Sequence, residues 1–485
     1  MRLALLALLA FAPLAGCLAN GPASGTQAPD AAEAAASAAH VVIAHIDTGI
    51  NPYHAAFRWD APLAYRHPST YIPGYPADAR ALNLTLTAKD YASAVKADEK
   101  VWAGVRPGHL YWIPGTKIVG AISLGPGGTL CPTVPVPPAN QVDPTGTCQE
   151  HPILDDFGHG TMTSSRMAGT NHSLDPDGLI VSIEGTGQDA VDWVVKAGFI
   201  DVVSNSWGSL TPTPTPDDQQ LARHIREAAR HALFLFASGN GVGFLNGIAG
   251  QPTQASPTFP PGVVIVGAHD NGYATTWHGA PPHVIADGYG GWRANPYDLH
   301  EWSPSPDSCC TSASAPYAAG GAAAIVLEAR RILGDTHTGV RGSGDEGVLA
   351  SGAKGLVASG PLADGNLTLG ELKRVLESTA QPRPAVSDAQ SDDGLVNWAA
   401  TGSMPKDPWP GDNPYCVGCF SSPVRLSSIP ADTSLVTSIG YGAINHDSVA
   451  VAKRVLHGEV PLPVRSMEDQ FFAQDEAART LLYPS

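Results

Sequence analysis

The sequence predicts a three-layer α/β fold: a mostly parallel sheet with helices on both faces, plus surface insertions. Three observations carry that reading. Short, continuous apolar runs recur at 41–46, 117–124, 179–183, 201–206, 233–238 and 262–268, as expected for strands buried on both faces. Helical patterns fall between them, and strand–helix–strand alternation implies parallel pairing under helical cover. Of 485 residues, 43% are hydrophobic and 15% charged, which allows a large core and excludes a coiled coil or a disordered chain.

The elements follow in chain order. Residues 1–16, "MRLALLALLAFAPLAG", place one Arg before a short apolar run and then small residues. That is the pattern of a secretory signal, too short for a stable membrane span. "LAGC" (14–17) is similar to the lipobox of prokaryotic lipoproteins, which implies lipidation at Cys17. Residues 17–39, rich in Ala, Gly, Pro and Ser, read as a lipid-anchored flexible tether. The implied location is extracellular or on the cell envelope, held to the membrane through Cys17. A folded domain is expected over 40–456, and a C-terminal extension over 457–485.

Within 40–456 the run at 41–46 is the first strand. "DAVDWVVKAG" (189–198) sets Val191, Val194 and Val195 on one helical face and stops at Gly198. "DDQQLARHIREAARHA" (217–232) sets Leu221, Ile225, Ala228 and Ala232 on one face, with an acidic start that suits the helix dipole. "TPTPTP" (211–216) reads as an extended loop. Surface insertions are expected at about 58–115, 125–150 and 381–436. The formal net charge of −17 disfavours a phosphate backbone, so no nucleic-acid partner is expected.

Besides Cys17 there are Cys131, Cys148, Cys309, Cys310, Cys416 and Cys419, an even number that favours disulfides in an exported chain. Cys131 and Cys148 bracket one loop and are expected to pair. Adjacent Cys309 and Cys310 bridge each other only with strain, and their pairing with Cys416 and Cys419 is left open.

In a parallel sheet, ligands bind beyond the carboxyl ends of the strands, so chemistry is expected just after the apolar runs. Asp47 closes the first run in "DTGIN", where a carboxylate can hold an imidazole in one tautomer. Asp-Thr-Gly also marks aspartic proteases, but those need two such carboxylates and this chain has one. His159 stands between Gly158 and Gly160, which let backbone and substrate come close to the ring. Ser312, in "CCTSASAPYAAGG", sits at a helix start with Pro316 in the first turn, beside free N–H groups that favour an oxyanion. An N-cap serine is the plainer alternative. Asn240, between glycines in "FASGNGVG" (236–243), can aim an amide at the same oxyanion. "NSWGS" (205–209) can pair with an extended peptide.

Together these pieces resemble the subtilisin-like serine proteases, the subtilases of the peptidase S8 family. "IDTGI", "GHGT", "SGNG" and "TSASAP" are similar to the four signature regions, and "KIVGA", "SPTFPPGVVIVGA" and "GYGAINHDSVAVA" to framework segments. The resemblance implies a subtilisin-like fold and a catalytic triad of Asp47, His159 and Ser312. It implies an oxyanion hole completed by Asn240, and substrate-pocket walls at Ser206, Trp207, Gly208, Ala237, Ser238 and Gly239. Trp207 is open between lining that pocket and packing on the sheet. The implied function is a secreted, lipid-anchored serine endopeptidase acting as a monomer on proteins or peptides. No cofactor is required by that chemistry. No calcium loop is recognisable, so calcium is left open and no metal ligand is assigned. Three positions depart from the family pattern: Cys310 replaces a Gly, Ala313 a frequent Met and Tyr317 a frequent His. Residues 18–39 are too short for the family's common propeptide. Cys310 leaves the alternative of a catalytically impaired surface binding protein on the same fold.

Overall fold

The computed structural model describes residues 40–124, 151–208, 215–240, 242–243, 260–270, 273–274, 282–288, 291–303, 311–334, 347–350, 357–381, 424–425 and 441–463. The apolar runs become β1 (Val42–Asp47), β2 (Ile118–Ser123), β3 (Leu179–Glu184), β4 (Val202–Asn205), β5 (Leu233–Ala237) and β6 (Val263–Asp270). Two further strands, β7 (Val284–Asp287) and β8 (Ala443–Ile444), continue the array. All belong to a 12-stranded sheet. Its run β8–β7–β6–β5–β4–β1–β3–β2 is parallel at every step. The chain passes from β1 to β2 and β3 on one side, then crosses to β4 on the other. β1 is therefore the switch point, and its carboxyl end opens a crevice.

The runs are continuous because both faces are covered. Odd and even residues of each strand enter different cores: Ile43, Leu235 and Val264 one, Ala44, Phe236 and Ile265 the other. The first core is covered by α1 (His159–Ala168), α4 (Thr311–Leu333), α5 (Leu369–Thr379) and α6 (His446–Leu456). The second is covered by α2 (Gln188–Ala197) and α3 (Pro216–Ala228). This is the three-layer arrangement the sequence predicts.

Local chemistry sets the helix ends. Gly198 closes α2 in the left-handed conformation, at φ 71°. α3 is shorter than the pattern at 217–232 because Ala232 leads directly into β5. Its start takes up the last two residues of the loop expected at 211–216: Thr215 and Asp218 cap one another, with Pro216 as the first helical residue, while 211–214 lie outside the described residues. α4 runs 23 residues and begins at Thr311, so Ser312 is inside it and is not its N-cap. Pro316 accordingly lies in the helix interior and not in the first turn. The small residues of α4 allow close packing: a Cβ on Gly320 would stand 2.4 Å from the Met167 carbonyl oxygen of α1.

The segment 58–115 is not a surface insertion in the sense expected. Arg80–Ala81 and Tyr111–Trp112 extend the sheet beyond β2. Tyr91, Trp102 and Tyr111 enter one core, Tyr75 and Trp112 the other. Asp98 organises it from inside, accepting hydrogen bonds from Thr85 N and Oγ1 at 2.6 Å each and from the Tyr53 hydroxyl at 2.9 Å. Residues 125–150 and nearly all of 381–436 lie outside the described residues. So do all seven cysteines, the signal and the tether. Among the described residues no helix is long and apolar enough to cross a membrane.

One buried ion pair ties the far end of α4 to the central strands. Arg330 donates from Nη1 and Nη2 to the two carboxylate oxygens of Asp201, at 2.8 Å each, and from Nη1 also to the His40 carbonyl. Asp201 Oδ2 further accepts from the Val42 N–H at 2.9 Å. Removing one partner strands the other charge in the interior. Arg330→Ala is therefore expected to lower unfolding stability by about 3–5 kcal/mol, read by denaturant titration. A loss below about 1 kcal/mol, the range of a surface pair, would contradict this account.

Candidate active site

Asp47 is the last residue of β1 and is 4% exposed. Burying a carboxylate requires partners, and it has three. Oδ1 accepts from the Thr48 N–H at 2.8 Å and from His159 Nδ1 at 2.7 Å, and Oδ2 accepts from the Thr163 hydroxyl at 3.1 Å. Burial alone would raise this carboxyl. The charge and hydrogen bond of His159, with the Thr48 N–H, hold it below its ordinary value. Ionised Asp47 can only accept, so the proton of the pair sits on Nδ1 and His159 Nε2 carries a free lone pair. Burial would likewise lower the His159 ring, but the charge and hydrogen bond of Asp47 outweigh it and raise its pKa above 6.5. His45, two residues before Asp47 on the same strand face, is pushed down to about 4, mainly by burial, and stays neutral.

The start of α1 is held by side chains. Gly158, at φ 88°, occupies the N-cap position and offers no side chain. Asp155 supplies the acceptors: Oδ1 takes the Gly158 N–H at 2.7 Å and Oδ2 the Thr161 N–H at 2.6 Å. The Thr48 hydroxyl donates to Asp155 at 2.7 Å and accepts from the Gly160 N–H at 2.9 Å. The turn after β1 and the first turn of α1 are thus one network. Gly160 is required by this closeness, since a Cβ there would stand 2.1 Å from the Gly49 carbonyl oxygen. The glycines beside His159 allow close packing against Gly49 and Pro296.

β4 and β5 deliver the other residues. Their register pairs Asn205 with Phe236, so Ser206 and Ala237 leave the sheet side by side. The first turn of α4 is seated on these exits. The Ser206 hydroxyl donates to the Ser312 carbonyl at 2.9 Å, and the Gly239 N–H donates to Thr311 Oγ1 at 3.2 Å. Ser312 Oγ faces the Ser206 carbonyl at 3.5 Å. It makes no hydrogen bond with His159 here. β1 and β4 are parallel with Ile46 opposite Asn205, so His159, bonded to Asp47, and Ser312, bonded to Ser206, stand at the same end of the sheet.

The remaining expectations divide. The Trp207 ring packs edge-on against Phe236, centroids 5.8 Å apart, which is the packing alternative. Ala237 and Ser238 are buried, and Gly208 is half-buried. Asn240 belongs to the short strand Gly239–Asn240, but its side chain lies outside the described residues. Among the described residues no group of three or more His, Cys, Asp or Glu is placed to hold a metal ion. Tyr317 has a visible partner: the Arg166 guanidinium lies 4.1 Å from its ring centroid and pairs with Asp287 at 3.0 Å. Sequence reasoning missed Thr163, Thr48 and Asp155 as supports. Thr163 was within reach of pattern, being one helical turn from His159.

Residues 38–392 match the Subtilase family, peptidase S8. A match over that much of the chain defines the class of protein: this chain belongs to the subtilase family of serine-type peptidases. No curated protein is significantly similar. Among solved structures, a protease described as the prenylagaramide maturation protease PagA is 14% identical, with TM-score 0.37, covering 89% of this chain and 100% of its own. The PatG macrocyclase in complex with peptide is 15% identical, with TM-score 0.29, covering 63% and 86%. Sphericase is 16% identical, with TM-score 0.25, covering 36% and 64%. Likeness at this level carries no argument about activity.

A neutral His159 is what a general base requires, so peptidase rate should fall as pH drops through its raised pKa. The acid limb of kcat/KM is expected above pH 6.5. In Asp47→Asn the lifting charge is gone and burial dominates, so the limb should move below 6.5 while the plateau falls about 10⁴-fold. A limb that stays in place would show that Asp47 does not set the His159 pKa.

Proposed function

We propose that the protein is a serine endopeptidase that cleaves proteins or peptides through an acyl-enzyme on Ser312. The observation that carries this reading is the 2.7 Å contact from Asp47 to His159 Nδ1, at the sheet end where Ser312 also stands. With Nδ1 committed, Nε2 is free to take the Ser312 proton. Rotation about one side-chain bond carries Ser312 Oγ between staggered positions, and such serine–histidine contacts commonly tighten only when substrate binds. Ser312 Oγ then attacks the peptide carbonyl while its proton passes to Nε2. The imidazolium formed is stabilised by Asp47. The tetrahedral oxyanion is held by the backbone N–H of Ser312, near the positive end of α4, with Asn240 as the second donor. His159 returns the proton to the leaving amine. Water, deprotonated by the same ring, releases the acyl group and regenerates Ser312.

Pocket walls at Ser206, Gly208 and Ala237 to Gly239 belong to the same reading, supported by their position at the exits of β4 and β5. Secretion and lipidation at Cys17 rest on residues 1–17. The test is direct. A fluorophosphonate probe should label wild-type protein at Ser312 and not Ser312→Ala, and the variant should lose hydrolysis of unfolded casein. Absence of labelling and cleavage in folded wild-type protein would instead favour a catalytically impaired binding protein.

A further inference from the structure

Pro316 follows Ser312 by four residues, the spacing at which a helix normally returns an N–H to a carbonyl. Proline has no N–H, so the Ser312 carbonyl is denied its helical donor. The Ser206 hydroxyl stands in that place, 2.9 Å from the Ser312 oxygen. Ser206 is itself firmly placed. It is 7% exposed and directly follows β4. The preceding Asn205 is fully buried and bonds from Nδ2 to the Val203 and Leu235 carbonyls at 3.3 and 3.1 Å. The contact is two-sided, because the Ser206 carbonyl also faces Ser312 Oγ at 3.5 Å.

The other contacts described for this turn lie beside Ser312 and not on its carbonyl. Its neighbours Ala313 and Ala315 carry a single methyl each. Thr311 accepts from Gly239 at 3.2 Å and Ser314 donates to the Ala286 carbonyl at 3.0 Å, yet both anchors act one or two residues away. From this geometry we infer that Ser206 is a positioning residue for the nucleophile: its hydroxyl replaces the helical hydrogen bond removed by Pro316 and fixes the Ser312 backbone for attack. This is separate from any part in the substrate pocket, and it rests on the reading of Ser312 as nucleophile.

The experiment compares full-length wild type, Ser206→Ala, Pro316→Ala and the double variant. It measures the rate of fluorophosphonate labelling, kcat and KM on a peptide substrate, and thermal unfolding. Ser206→Ala is expected to stay folded, to keep KM, and to lose roughly 10- to 100-fold in kcat and labelling rate. Pro316→Ala returns a helical N–H to the Ser312 carbonyl. In that background, removing the Ser206 hydroxyl should matter much less, a coupling that a double-mutant cycle reads directly. Wild-type labelling by Ser206→Ala, a loss carried by KM alone, or an equal loss in both Pro316 backgrounds would each overturn the inference. Failure of the wild type itself to label overturns the nucleophile reading on which it rests, and so separates the two.

Discussion

The structure depends on one hydrogen bond, from His159 Nδ1 to Asp47 Oδ1 at 2.7 Å. A carboxylate at the end of a fully buried strand is tenable only when its charge is answered. The answer fixes three things together: the ionised state of Asp47, the tautomer of His159, and the place of α1 over the sheet. Thr48 and Asp155 extend the same logic. They satisfy free N–H groups at the start of α1, Thr48 from the turn that follows β1 and Asp155 from the segment that leads into the helix. The imidazole is therefore held at its ring and through the backbone that carries it.

The rest of the molecule supports that arrangement from behind. α1 lies close enough to α4 that a side chain at Gly320 would collide with backbone. At the opposite end, Arg330 clamps α4 to Asp201 and to the His40 carbonyl, two residues before the first strand. Arg166 joins α1 to Asp287 and to the face of Tyr317, giving this departure from the family pattern a packing role. The small residues of α4 are the sequence's concession to this crowding. They let the starts of α1 and α4 come to one end of the sheet and leave little side-chain bulk beside Ser312.

Much of this was legible because it follows from local pattern. Strands buried on both faces must read as continuous apolar runs, and six such runs became strands. Gly198 announced a helix end for a reason internal to glycine. Asp47 and His159 were found from their place after strands and between glycines. What stayed hidden depends on distant partners. Arg330 and the His40 carbonyl are 290 positions apart, and nothing in either neighbourhood names the other. The segment 58–115 was misread because its short helices and two-residue strands carry no period, while its burial is set by the edge of β2 and by Asp98. Pro316 was placed in a first turn because the helix start was set at Ser312, whereas the helix begins at Thr311 and holds Pro316 in its interior.

The account is tested most directly by the protonation of the His159 ring, observed by ¹⁵N NMR of the resting protein. Above the titration of the ring, the predicted spectrum shows a proton on Nδ1, in a strong hydrogen bond to carboxylate, and an unprotonated Nε2. A ring that carries its proton on Nε2 under those conditions would contradict the account, because the nitrogen turned away from Asp47 would then have no lone pair to offer.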